Sequence, residues 1–248
     1  MNDIFKIMIN LDKKISLKMK FIIEPFKDFF NLIFPNLCMV CNNHLVSQEK
    51  LICTSCLYNL PKTNFHLDIE NPVSQLFWGR TKIEYASSFY FYQKGSKYQQ
   101  MMHKFKYHGC KEVGLVLGRY FGSQLNDSVF NQVDLIMPVP LHKSKLKKRG
   151  YNQSEFIARG LAGSLDKKVD AQNLIRTMAT STQTRKSRFE RWENVEKIFK
   201  VLYPEKITGK HILLVDDVVT TGSTLEACAN SILEVPGTKV SIVTLAVA

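Results

Sequence analysis

The sequence predicts an α/β fold, a parallel sheet flanked by helices, preceded by a small cysteine-rich module. Three observations predict it. From about residue 83 onward, β-branched and aromatic segments alternate with segments of helical periodicity. An apolar stretch, Ile212–Val215, runs into Asp216 and Asp217 and then into the small-residue loop Thr220-Thr221-Gly222-Ser223-Thr224. Cys38, Cys41, Cys53 and Cys56 form two CxxC pairs separated by eleven residues. A chain of 248 residues has room for one sizeable core and a small appendage. Its 45% apolar and 11% aromatic content is that of a globular protein and argues against disorder.

Residues 1–34 read as an extension ending in a short amphipathic helix. Pro25 suits a first helical position, Phe26, Phe29, Phe30 and Ile33 recur at helical spacing, and Pro35 stops the run. The stripe fits packing onto the rest of the protein, and attachment to a membrane surface is the competing reading. Asp12-Lys13-Lys14, Lys18 and Lys20 break up the apolar stretches, and none approaches the roughly 20 residues that span a bilayer. No signal-peptide pattern is visible. The expectation is a cytoplasmic protein without stable membrane insertion, and no function is legible in residues 1–18.

Residues 35–60 hold the paired cysteines. Two CxxC hooks joined by a loop bring four thiolates around one tetrahedral ion, which is the geometry of a structural zinc ribbon. Two disulfides are the competing reading, disfavoured in a reducing compartment. A redox CxxC is a third, disfavoured by the presence of two such pairs. With all four ligands supplied by Cys38, Cys41, Cys53 and Cys56, the metal keeps no open position for chemistry. Cys110 and Cys228 stand alone and read as small buried hydrophobes.

Residues 61–80 read as a linker, and 81–248 as the α/β domain. Ile83–Tyr92 has strand composition. Tyr98, Met101, Met102 and Phe105 have helical spacing, and a second helix is expected over Lys111–Leu125. Next come a strand Asp134–Val139, a helix Gln153–Leu165 and a strand near Leu174–Thr177. A strand His211–Val215, a helix Ser223–Leu233 and a strand Val240–Ala246 complete the alternation, which implies βαβ units.

The acid pair and loop carry the most specific chemistry. Open α/β sheets bind ligands at the carboxyl ends of their strands, where Asp216 and Asp217 are expected. Backbone N–H groups at a helix start, with the hydroxyls of Thr220, Thr221, Ser223 and Thr224 beside them, make a phosphate cradle. Gly222 permits close backbone approach. Carboxylates ahead of a phosphate loop suit a sugar phosphate, since they accept hydrogen bonds from ribose hydroxyls. The loop lacks the Gly-Lys ending of a P-loop and the three spaced glycines of a dinucleotide fingerprint. A bare strand–loop–helix with surface acids is the competing reading, and so particular a run of residues argues against it.

The net charge of +12 points to anionic partners or, alternatively, to a solvated basic surface. After Met137-Pro-Val-Pro140 the chain carries Lys143, Lys145, Lys147, Lys148 and Arg149, placed to hold a diphosphate or a nucleic-acid backbone. A second basic stretch, with Gln183, Arg185, Arg188 and Arg191, has the composition of a flap over an anion. Lys143, Arg149, Gln183, Arg188 and Arg191 are the diphosphate and flap candidates. Lys104, Lys106, Tyr107, Lys145, Lys147, Lys148 and Arg185 are the candidates for single-stranded DNA, with Tyr107 available to stack on an unpaired base. The competing reading puts Phe105 and Tyr107 in the core of their helix.

The segment His211–Thr224 is similar to the signature of type I phosphoribosyltransferases. The whole series resembles the ComF family of competence proteins, from Phe34 to Ala248: CxxC and CxxC, Lys104-Phe-Lys-Tyr107, Pro138-Val-Pro140, Arg149-Gly-Tyr-Asn-Gln153, Gln183…Arg191…Asn194-Val, and the acid pair with its loop. Arg185-Lys186 departs from the family, which has a small residue and leucine there. The resemblance implies a zinc ribbon joined to a type I phosphoribosyltransferase fold. It implies a pocket for phosphoribosyl pyrophosphate or a related sugar phosphate with magnesium. It also implies a role in taking up transforming single-stranded DNA, with a competence helicase or other DNA-uptake protein as partner. The alternative is a phosphoribosyltransferase acting on an unidentified nitrogen nucleophile or base. No base-reading residue is legible, and the place of a salvage enzyme's hood is expected to hold the zinc ribbon.

Overall fold

The computed structural model describes residues 36–46, 48–177 and 198–248, in which the chain divides into a unit ending at Tyr58 and a unit from Asn59 to Ala248. The helix expected over 25–34 lies outside the described residues, as do Gln183, Arg185, Arg188 and Arg191.

In the first unit Leu37 and His44 form an antiparallel bridge, and the chain reverses through Asn42, at a φ of 60°. Asparagine tolerates that left-handed turn because its short amide bonds locally. Helix α1, Thr54–Tyr58, follows, and the Glu49 carboxylate accepts the backbone N–H of Thr54 at 2.6 Å. The buried residues here are Cys38, Val40, Ile52, Cys53, Cys56 and Leu57.

The second unit is organised around strand β6, His211–Val219. Its apolar run has no alternation because both faces are covered, as in parallel sheets generally. The elements ahead of it in the chain are helix α2 (Pro72–Gln75), strand β1 (Ala86–Phe91), helices α3 (Lys97–Tyr107) and α4 (Glu112–Leu125), strand β2 (Leu135–Pro138), and helices α5 (Lys143–Arg149) and α6 (Gln153–Leu165). Strands β3 (Lys168–Val169), β4 (Leu174–Arg176) and β5 (Phe199–Val201) come next, and helix α7 (Ser223–Leu233) and strand β7 (Lys239–Val247) follow β6. The sheet runs β1-β7-β6-β2-β3, parallel throughout. Helices α4 and α6 approach very closely: a Cβ on Gly118 would stand 2.4 Å from the Ile157 carbonyl. That glycine contact lets α6 lie deep enough to bring its first turn to the end of β6.

The structure differs from the sequence-based expectation in three places. Strand β6 continues through Asp216 and Asp217 to Val219, because ladder pairing with β7 persists through Asp216–Thr244 to Val219–Val247. The stretch at Leu174 leaves the parallel sheet and pairs antiparallel with β5. Asp170 Oδ1 accepts the N–H groups of Gln172 and Asn173, both at 3.1 Å, and turns the chain away after β3. Residues 61–80, read as a linker, carry a 3-10 turn and α2 and contribute buried Asn71, Val73 and Phe77 to the core.

Candidate functional site

The site is assembled where β2 and β6 end and α7 begins. Gly222 takes a φ of 76°, open to glycine at no steric cost, and the chain turns there into α7. A Cβ at this position would meet the Phe77 ring at 3.1 Å, so the loop rests directly on an aromatic floor. Thr220, Thr221, Ser223 and Thr224 are exposed around it, with the Thr221 and Ser223 hydroxyls 3.0 Å apart. Together with Asp216 and Leu225 they line a small cavity of about 60 Å³. The free N–H groups of the first helical turn and four hydroxyls therefore surround one anion-sized space.

The acids above this loop are held by separate elements. Asp216 Oδ1 accepts the Ser154 hydroxyl at 2.8 Å, from the first turn of α6, and the Asp217 N–H at 2.8 Å. Asp217 Oδ2 lies 2.9 Å from Lys106 Nζ at the end of α3. Burial, with the neighbouring Asp217 charge next, pushes the Asp216 carboxyl up to about 7. Arg80 braces the loop from below, donating from Nη1 to the carbonyls of Thr221 and Leu76, each at 3.0 Å. Its other arm pairs with Glu226 in the first turn of α7. That pair neutralises an acid that would otherwise oppose an anion at the helix start.

The four cysteine Sγ atoms of the first unit all lie within 4.8 Å of one another, and Cys41 Sγ is 3.7 Å from Cys53 Sγ. A tetrahedral ion with metal–sulfur bonds of about 2.3 Å places its ligands about 3.8 Å apart, so the cluster fits such an ion and the ribbon expected from the sequence. Cys53 N–H donates to Cys38 Sγ at 3.3 Å, and Cys56 N–H to Cys53 Sγ at 3.4 Å. Burial raises the Cys38 thiol but is outweighed by backbone hydrogen bonds from Cys41, Cys53 and Val40, which bring it down to about 7. Burial, followed by the adjoining thiols, raises Cys56. Four such groups share one site as thiolates when a cation offsets their charge.

The phosphoribosyl transferase domain family matches residues 122–247, about half of the chain. The DNA utilization protein YhgH of Escherichia coli O6:H1 is 29% identical over 207 residues, which cover 79% of this chain and 84% of that protein. Competence protein ComFC of Bacillus subtilis is 25% identical over 223 residues, 80% of this chain and 89% of its own. Competence protein F of Haemophilus influenzae is 35% identical over 94 residues, 37% and 41% of the two chains. This chain belongs to the phosphoribosyl transferase domain family, in its ComF branch.

In this ComF-family chain the Arg149–Gln153 motif is an architectural hinge between site and surface. Gly150, at a φ of 80°, ends α5. The Tyr151 hydroxyl donates to the Phe105 carbonyl. Asn152 caps α6 through its side-chain oxygen and donates to the Val139 carbonyl at 2.9 Å. Arg149 Nη1 donates to Gln153 Oε1 at 2.8 Å, and its guanidinium lies over the Tyr107 ring at 5.3 Å. Lys148 approaches the same ring at 5.6 Å and His103 at 4.9 Å. Hydrogen bonding and charge from Arg149 hold the Tyr107 phenol below its usual range. Phe105 is fully buried whereas Tyr107 is 48% exposed, so the expected pair splits between core and surface.

Lys143, Lys145, Lys147 and Lys148 are exposed on α5, and Lys104 is half-buried on α3. The structure brings Arg149, Tyr107 and Lys148 together on that surface and sets Lys106 apart from them, on Asp217. Ser154, Arg80 and Phe77 were missed by sequence reasoning. Ser154 directly follows the Arg149–Gln153 motif and was within reach of it. Arg80 and Phe77 sit in a stretch without periodicity, and no local signal ties them to a loop some 140 residues away.

Proposed function

We propose that this ComF-type protein binds phosphoribosyl pyrophosphate, or a related sugar phosphate, at Asp216, Asp217 and the Thr220–Thr224 loop, and handles single-stranded DNA during DNA uptake. The observation that carries the first half is the acid pair near the end of β6, with Asp216 lining the same cavity as the hydroxyl-rich helix start. The loop would take the 5-phosphate and the carboxylates the ribose hydroxyls, and Lys143 and Arg149 remain candidates for the diphosphate. Magnesium, when bound to the diphosphate, would offset its charge. The cysteine cluster would hold zinc, a structural role that requires reduced thiols and so agrees with a cytoplasmic location. Among the described residues no helix is long and apolar enough to cross a membrane.

The DNA half is supported by the names of the relatives and by the Tyr107 surface. An exposed ring flanked by Lys148 and Arg149 offers base stacking beside phosphate contacts, with Lys145 and Lys147 extending the positive charge along α5. The completeness of the acid pair and loop favours a second reading, transfer of the phosphoribosyl group to an unidentified nitrogen nucleophile. Thermal denaturation with and without phosphoribosyl pyrophosphate and magnesium tests the pocket. A rise in Tm is expected because the ligand binds the folded state alone. An unchanged Tm at saturating ligand would remove the small-molecule half. Release of diphosphate in the presence of candidate bases would then separate transferase from binding protein.

A further inference from the structure

Lys106 was grouped by sequence with residues facing DNA, yet it sits elsewhere. Its ammonium is 2.9 Å from Asp217 Oδ2, and the two side chains are only 24% and 14% exposed. Its neighbour Tyr107 is exposed, with Lys148 and Arg149 over its ring. Among the described residues, the surroundings of the acids on the strand side are short of compensating groups. Tyr90 on β1 is fully buried with its hydroxyl unpartnered, and the Asp217 charge adds to burial in raising its pKa. Asp216 is satisfied by neutral donors, the Ser154 hydroxyl and a backbone N–H. The Asp217 carboxylate, joined by Asp216 once that group ionises, would repel a phosphorylated ligand, and in a half-buried site solvent screens that repulsion weakly.

We propose that Lys106 is a binding residue of the phosphoribosyl site, the built-in counter-charge that lets an anionic sugar phosphate approach Asp216 and Asp217. This assignment rests on the phosphoribosyl reading of the pocket. In the free chain the ammonium neutralises Asp217. When ribose hydroxyls take up that carboxylate, the three N–H donors of Lys106 turn to the anionic oxygens of the ligand. The lysine thereby shares with magnesium the task of offsetting charge, and losing one raises the demand for the other.

Calorimetric titration of phosphoribosyl pyrophosphate into wild type, Lys106→Gln and Lys106→Arg over a series of magnesium concentrations tests this. Lys106→Gln should bind at least tenfold more weakly at low magnesium, with the deficit shrinking as magnesium rises, and Lys106→Arg should recover most of the affinity. Retardation of a single-stranded oligonucleotide should stay within twofold of wild type for both variants. Equal affinity of Lys106→Gln and wild type at every magnesium concentration would overturn the assignment. So would a loss of oligonucleotide binding with ligand affinity intact, which would return Lys106 to the DNA surface. Equal weakness of both variants with a lowered Tm would reduce Lys106 to a structural residue. Failure of wild type itself to bind would instead remove the phosphoribosyl reading, and this assignment with it.

Discussion

At the scale of single residues, Asp216 and Gly222 each carry a consequence that can be measured. The Asp216 carboxyl is raised from an ordinary 3.8 to about 7, by burial first and by Asp217 second. The folded chain therefore holds this proton more tightly than the unfolded chain. The associated stability is complete below pH 3.8 and is lost as pH rises through about 7. Asp216→Asn should flatten the fall in Tm across that window for the ligand-free protein while abolishing any stabilisation by phosphoribosyl pyrophosphate. A pH–Tm series on both proteins checks it, and a parallel fall in the two would contradict it. At Gly222 a side chain meets both a left-handed backbone, at a φ of 76°, and the Phe77 ring at 3.1 Å. Gly222→Val should cost about 1–3 kcal/mol of stability by denaturant titration and remove the ligand response. That the loop needs glycine was legible in the sequence. The aromatic ring beneath it was not, because Phe77 lies far away in the chain and reaches the loop only through the fold.

At the scale of elements, Tyr107 at the end of α3 and the lysines of α5 share one surface whose parts would act differently on DNA under the proposed function. Lys145, Lys147 and Lys148 project from a seven-residue helix whose residues are largely exposed, so their contribution to the fold is small. Replacing all three by glutamine should reduce the slope of log affinity against log salt by about 2 for single strands, as three counterion-releasing contacts are lost. Tyr107→Ala should leave that slope unchanged and weaken binding by roughly 1–3 kcal/mol, the worth of one stacked base. Gel-shift titrations at several salt concentrations separate the two effects. Since Tyr107 is 48% exposed, its removal should leave Tm nearly unaltered, unlike removal of buried Phe105. Helices α6 and α7 coincide with the spans expected from periodicity, since both bury one apolar face against the sheet. Strand β4 departs from expectation because periodicity reports that a segment is extended and half-buried, and says nothing of which strand it pairs with.

At the scale of the whole molecule, the second unit builds its core from a five-stranded sheet, whereas the first places three of its four paired cysteines among its few buried residues. With zinc bound as proposed, such a module would gain much of its folding free energy from the ion, on the order of 10 kcal/mol in zinc-finger peptides. Cys53→Ser should therefore unfold the first unit and lower the zinc content from the expected one per chain. Emission spectroscopy for the metal, and hydrogen exchange over 36–58, would register both. A metal-free wild type with stoichiometric disulfides would contradict the zinc assignment. The sequence by itself determined the alternation of strands and helices, the acid pair with its loop and the cysteine pairs, because each is written in contiguous residues with a local physical meaning. Only the tertiary structure decided that Lys106 faces Asp217 and not the surface, that Ser154 holds Asp216, and that Arg80 and Phe77 support the Thr220–Thr224 loop. Those contacts join residues from 62 to 146 positions apart. Their geometry follows from strand order and helix packing depth, which no local pattern records.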